Sequence, residues 1–147
     1  MTRARRRVAI AAAVVAFLAV SAVVARWLQA DNAERAKVER LLEAQSSGDA
    51  AAMAKELDRC DAACTQRLER LAERLGGGDG GFEIVRYDSH TAHALGADTG
   101  PTRVVWQRKG LLPTVQCVSV RRTGTALTGP DVTLTDLSAP IEREASC

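Results

Sequence analysis

Aromatic residues are almost missing from this sequence: they make up 3% of 147 residues, with a single tyrosine. Outside the N-terminal apolar run and its flank, only Phe82, Tyr87 and Trp106 remain. A core built here is lean and needs support from elsewhere. Histidine occurs twice, at His90 and His93. In a strand, residues three apart face opposite sides, so these two could share a metal only across a bulge or loop. There is no Ser-His-Asp order, no nucleophile elbow and no metal-binding helix. The glycine run Gly76–Gly81 is not preceded by a strand or followed by Lys-Ser/Thr, which excludes a phosphate loop. No catalytic residue, metal site or cofactor is assigned.

Excess charge is also missing once its position is considered. The net charge is +2, yet Arg3, Arg5, Arg6 and Arg7 precede Arg26 with no acidic residue among them. Without these four, the 20 basic residues fall below the 18 acidic ones. The remainder is mildly acidic and mixed in sign, which excludes a nucleic-acid interface. Arginine far outnumbers lysine and alanine is abundant, a composition that suggests a GC-rich bacterial genome.

What the sequence does have is one long apolar run. From Val8 to Ala25 there is no charge, and Ser21 is the one polar residue. That length suits a helix crossing the hydrocarbon core. Arg26 and Trp27 fit the far interface, and the basic cluster fits the cytoplasmic side. The expected organisation is a cytoplasmic basic tail over residues 1–7, a single-pass signal-anchor helix over 8–28, and an extracytoplasmic domain over 29–147. The alternative is a secretory signal cleaved after Val23-Val24-Ala25, giving a secreted domain. Both export the domain.

Cys60, Cys64, Cys117 and Cys147 are an even set in an exported domain, which reads as two disulfides. The C-x3-C spacing of Cys60 and Cys64 is neither a redox nor a zinc pattern, and no histidine is near. Three pairings are possible and sequence does not choose among them; the expectation leans to Cys60–Cys64 and Cys117–Cys147. Asp61 reads as an N-cap, which would set Cys60 just before a helix and Cys64 in its first turn.

Asp31 to Gln45 reads as a helix, able to continue from the membrane run as a stalk. Val38, Leu41, Leu42 and Gln45 form its apolar stripe, and Arg35 pairs with Glu39 on the outer face. Asp49 caps a short helix to about Leu57. Asp61 opens a third, with Cys64, Leu68, Leu71, Ala72 and Leu75 inward and Arg67, Glu69, Arg70, Glu73 and Arg74 toward solvent. Gly76–Gly81 ends it as a flexible link. Strands follow at Phe82–Asp88, His90–Leu95, Thr102–Lys109, Thr114–Arg122 and Val132–Leu137, with turns at Gly96, Gly100-Pro101, Gly110, Pro113, Gly124 and Gly129-Pro130. Val118/Val120 and Val132/Leu134 alternate as half-buried antiparallel strands do. Helices first and a meandering sheet afterwards make an α+β domain: two to three helices packed on a curved, cone-like antiparallel sheet of about four to five strands.

The segment Leu41–Met53, in which one helix ends, Gly48-Asp49 makes a corner and a small-residue helix begins, resembles the opening of the nuclear transport factor two-like (cystatin-like) superfamily. The likeness would extend over about Asp31 to Leu137, and is nearest to small membrane-anchored or secreted actinobacterial proteins. It implies a curved sheet wrapped around helices. Members include isomerases, cyclases and dehydratases, whose Asp, Tyr or His lie inside the cone, and many binding modules without catalysis. The nearest counterparts here are Tyr87, Asp88, His90 and His93, none of which aligns to a catalytic motif.

The expectation is a non-catalytic, membrane-tethered extracytoplasmic domain that binds an envelope protein or a small apolar ligand. Its second partner is the bilayer itself. One alternative is a small acid–base enzyme, an isomerase or hydrolyase, with a pocket near Tyr87, Asp88 and His90. Another is a structural tether that self-associates through Leu68, Leu71 and Leu75.

Overall fold

The computed structural model describes residues 3–77, 81–91, 98–124 and 131–147. Its dominant element is one unbroken helix, α1, Arg3–Ser47, about 68 Å long at 1.5 Å per residue. Its apolar first part stands clear of the domain. Val8, Ile10, Val14, Val15, Phe17, Leu18, Val20, Val23, Val24 and Leu28 are all exposed, and the most apolar window of 18 residues is 0% buried. Burial begins at Ala30 and then follows the helical period through Glu34, Val38, Leu41, Leu42 and Gln45. By length and composition, the outer portion is able to cross a membrane.

A Schellman motif ends α1. Gly48, at φ +81°, donates its N–H to Gln45 O at 3.1 Å, and the Asp49 N–H reaches Ala44 O at 2.9 Å. The left-handed backbone explains the glycine. Asp49 then caps α2, Ala50–Glu56, by accepting from the Ala52 N–H, and Asp61 caps α3, Ala62–Leu75, through the Cys64 N–H. Two glycines let the helix ends meet: a Cβ on Gly76 would lie 2.5 Å from Gly48 Cα and 2.4 Å from Ala72 O. The Gly76–Gly81 link is thus structural at its start; residues 78–80 lie outside the described residues.

Four antiparallel strands follow in simple order: β1 Phe82–Ser89, β2 Asp98–Arg108, β3 Thr114–Thr123 and β4 Asp131–Leu137. The sheet is open, and the helices lie on one face. Its inner side chains include Val104, Trp106, Val118, Val120, Val132, Leu134 and Leu137, packed with Leu41, Leu42, Met53, Leu57, Leu68 and Leu71. Trp106 is buried and its indole N–H donates to Gln116 Oε1 at 2.7 Å, so this large residue fills the core without an orphaned donor.

Three expectations need correction. The segment His90–Leu95 is not a fifth strand over the part described: His90 and Thr91 form a turn, and residues 92–97 lie outside the described residues. Gly100-Pro101 is not a turn but part of β2, paired with Val120 and Ser119. The Pro101 carbonyl accepts from the His90 N–H at 3.2 Å, beyond the last β1–β2 pair, Ser89–Thr102. Proline's missing N–H therefore points where no ladder partner is due, the position at which a strand tolerates it. Arg67 is not a solvent-side charge: it is half-buried and ion-pairs with Asp136 on β4, tying α3 to the sheet.

The two disulfides fasten one helix connection and the C-terminal segment. Cys60–Cys64 closes the α2–α3 connection, where the Asp58 N–H also bonds Leu134 O at 2.8 Å. Cys117–Cys147 holds the C-terminal segment against the outer face. There Ile141 bridges Val115 and Arg103 Nε donates to Ala145 O at 3.1 Å.

Candidate functional site

The most concentrated chemistry lies between α1 and the sheet, around Glu34. This carboxylate occupies the buried register of α1, one turn before Val38, and is 0% exposed. Its Oε1 accepts from the Tyr87 hydroxyl at 2.7 Å and from Thr102 Oγ1 at 2.7 Å. Its Oε2 accepts from Thr91 Oγ1 at 2.8 Å, from Arg122 Nε at 2.8 Å and from Arg122 Nη2 at 2.6 Å. Arg122 Nη2 also reaches Asp31 Oδ1 at 3.3 Å, nearly one helical turn nearer the apolar run. Arg122 is 3% exposed.

Local geometry brings these groups together. A register shift between Ile84 and Arg86 marks a bulge at Val85, which leaves Val85 exposed and turns Tyr87 and Ser89 to the face of Phe82 and Ile84. Thr91 comes in because the His90–Thr91 turn packs on Gly100, where a Cβ would stand 3.2 Å from His90 Cβ. Arg122 points inward by alternation with Val118 and Val120. Arg35 lies 5.7 Å over the Tyr87 ring, covering it from the helix side.

Burial pushes the Glu34 carboxyl upward, but hydrogen bonds from Thr102, Tyr87, Thr91 and Ser89 outweigh it and hold the group below its ordinary value. The Tyr87 phenol is pushed far up by burial and then by the neighbouring Glu34 charge. Glu34 is therefore an ionised carboxylate with both oxygens occupied and no approach from solvent. A general base needs a free lone pair within reach of a substrate proton, and this group has neither. What the arrangement does is clamp the helix to β1, β2 and β3.

Tyr87, Asp88 and His90 do not converge. Tyr87 faces the core. Asp88 sits on the outer face with Arg86 at 2.7 Å and Arg103 at 3.9 Å, and His90 is exposed in the turn. The same-face argument for Asp88 and His90 fails because the strand ends at Ser89. His93 lies outside the described residues. Of the stripe Leu68, Leu71, Leu75, the first two are buried in the core, at 0% and 4% exposed, and Leu75 is half-buried against it. Among the described residues, no three His, Cys, Asp or Glu side chains come together as metal ligands.

Glu34, Arg122, Thr91 and Thr102 carry the cluster, and the sequence reading missed all four. The signal was present for two of them: Glu34 falls in the Val38, Leu41, Leu42, Gln45 stripe, and Arg122 continues the inward alternation of Val118 and Val120. Opposite charges at core positions on two elements are candidates for a buried pair. Comparison of the chain with family models, with curated proteins and with solved structures returns no match.

Proposed function

We propose that this chain is a membrane-tethered, non-catalytic accessory domain of the bacterial cell envelope, displayed outside the cytoplasm. It would bind an envelope protein or a small apolar ligand. The observation that carries this reading is the continuity of α1. The same helix presents an uncovered apolar run and then, without a break, becomes the central core helix of the domain. An apolar surface of that length standing clear of the protein is stable in lipid and not in water. Four arginines at its start favour a cytoplasmic N-terminus by the positive-inside rule. Two disulfides favour an oxidising compartment for the domain. The fully occupied Glu34 carboxylate supports a mechanical role over a chemical one: it joins anchor and sheet so that the domain keeps one attitude to the bilayer.

Protease added to intact, wall-stripped cells tests this topology. The expected result is loss of the domain and survival of a membrane-embedded N-terminal fragment. Full protection until the cells are lysed would place the domain in the cytoplasm and overturn the proposal.

A further inference from the structure

The β2–β3 turn is an apolar knob. The Leu111 N–H bonds Arg108 O at 3.0 Å, and Gly110 at φ +82° closes the turn, so the projection of the tip is set by the backbone. Leu111 is 53% and Leu112 83% exposed, the latter more than any large apolar residue of the bare α1 segment. Arg108 and Lys109 flank the leucines. Neither forms a side-chain ion pair among the described residues.

A second feature is its complement. Where α1 and α3 end together, Gly48, Ala50, Ala72 and Gly76 floor an open groove of about 420 Å3. No side chain can fill it from Gly76, because a Cβ there would collide with the Gly48 backbone. Glu69 and Glu73 stand on its rim, also without ion pairs among the described residues. They repeat at i,i+4, a like-charge spacing that a helix does not favour by itself. The C-terminal ends of α1 and α3 add negative partial charge there.

We propose that the β2–β3 turn of one copy docks in the α1–α3 groove of a second copy beside it in the same membrane. The leucines fill the apolar floor, and Arg108 and Lys109 face Glu69 and Glu73. The inference rests on the anchored reading above, which aligns the copies. Thr102 and Arg122 lie beside Glu34 near the anchor, so the opposite ends of β2 and β3, with the turn, point away from it. The groove also lies at the far end of α1. Neighbouring copies standing upright thus offer knob and groove on the same side of their domains. Each copy has one of each, so the contact is head-to-tail and builds rings or rows. The contact is too small for a stable soluble dimer, and confinement in one membrane supplies the effective concentration it needs.

The test uses the full chain in vesicles, with isotopically heavy and light copies mixed and a carbodiimide joining amines to carboxylates. The expected product is Lys109 linked to Glu69 or Glu73 as a heavy–light pair, reduced at least about tenfold by Leu112→Asp. Energy transfer between copies labelled at the N-terminus should fall with Glu69→Lys/Glu73→Lys and return when Arg108→Glu/Lys109→Glu is added. Heavy–light links no stronger than in Leu112→Asp, links from Lys109 to other carboxylates only, or no return in the charge swap would each overturn the docking. Flotation of the same vesicles reads the anchor separately. Chain that floats without the link overturns the docking alone; chain that fails to float overturns the anchored reading and the docking with it.

Discussion

Replacing Glu34 by alanine removes the acceptor for Tyr87, Thr91, Thr102 and Arg122 at once. The guanidinium is 3% exposed and, among the described residues, keeps only Asp31, at 3.3 Å. Breaking a buried pair from one side costs roughly 3–5 kcal/mol, because the remaining charge stays out of water. For a domain of this size each kcal/mol moves the melting temperature by about 4 °C, so Glu34→Ala should melt roughly 12–20 °C below the parent. Arg122→Met should cost less, about 2 kcal/mol, since Glu34 keeps three hydroxyl donors. The double variant Glu34→Met/Arg122→Leu should lose less than the sum of the single changes. Thermal unfolding of the full chain in detergent, followed by near-ultraviolet dichroism, reads all of them. If Glu34→Ala melts within a few degrees of the parent, or Arg122→Met costs more than Glu34→Ala, the clamp is wrong. The acid limb adds a check. The Glu34 carboxyl is depressed in the folded state, so its stabilisation is complete above the ordinary carboxylate value of about 4.3 and is lost as pH falls through the lower folded value. Glu34→Gln should remove that part of the acid sensitivity.

Tyr87 is the one tyrosine, so phenolate absorbance reports it alone. Its raised value predicts no ionisation near pH ~10, where a free phenol is half ionised, and ordinary titration once the chain is unfolded. Stability from that phenol is present below the ordinary value and lost only as pH rises through the folded one. Removing Cys117–Cys147, with a separation of 30 residues, should cost about 3.6 kcal/mol by loop entropy, against about 1.9 kcal/mol for Cys60–Cys64 with a separation of 4. Paired Cys→Ala variants in denaturant titrations give the order, and a costlier short loop would contradict it. Gln45 is 0% exposed and neither side-chain amide atom has a partner among the described residues. Gln45→Leu should therefore stabilise the domain by about 1–2 kcal/mol, and a loss in the same titration would refute this.

The helices were legible because their signals are local. Asp49 and Asp61 cap the elements they begin, and Val38, Leu41 and Leu42 mark the buried face four residues at a time. The helix-then-sheet order gave the α+β class. The errors arose where a non-local contact overrides the local pattern. Pro101 reads as a turn residue until one sees that β1 has already ended beside it. One extra residue bulges at Val85, an insertion that period-two reasoning does not register, and it puts Tyr87 rather than Asp88 on the face of Phe82 and Ile84. The Glu34 cluster was illegible as a site because its members, Glu34, Tyr87, Thr91, Thr102 and Arg122, meet only when the sheet closes on α1. Arg67 reads as one more charge on a wetted face until Asp136 is placed opposite.

The most direct test of the central claim is made on isolated membranes, alkylated without reductant and mapped by mass spectrometry through the N-terminus. The account predicts that the chain stays in the membrane fraction with the peptide holding Arg3, Arg5, Arg6 and Arg7 attached. It also predicts that Cys60, Cys64, Cys117 and Cys147 are all protected from alkylation as two bridges. A soluble chain beginning beyond Ala25, or four thiols that react freely, would contradict it.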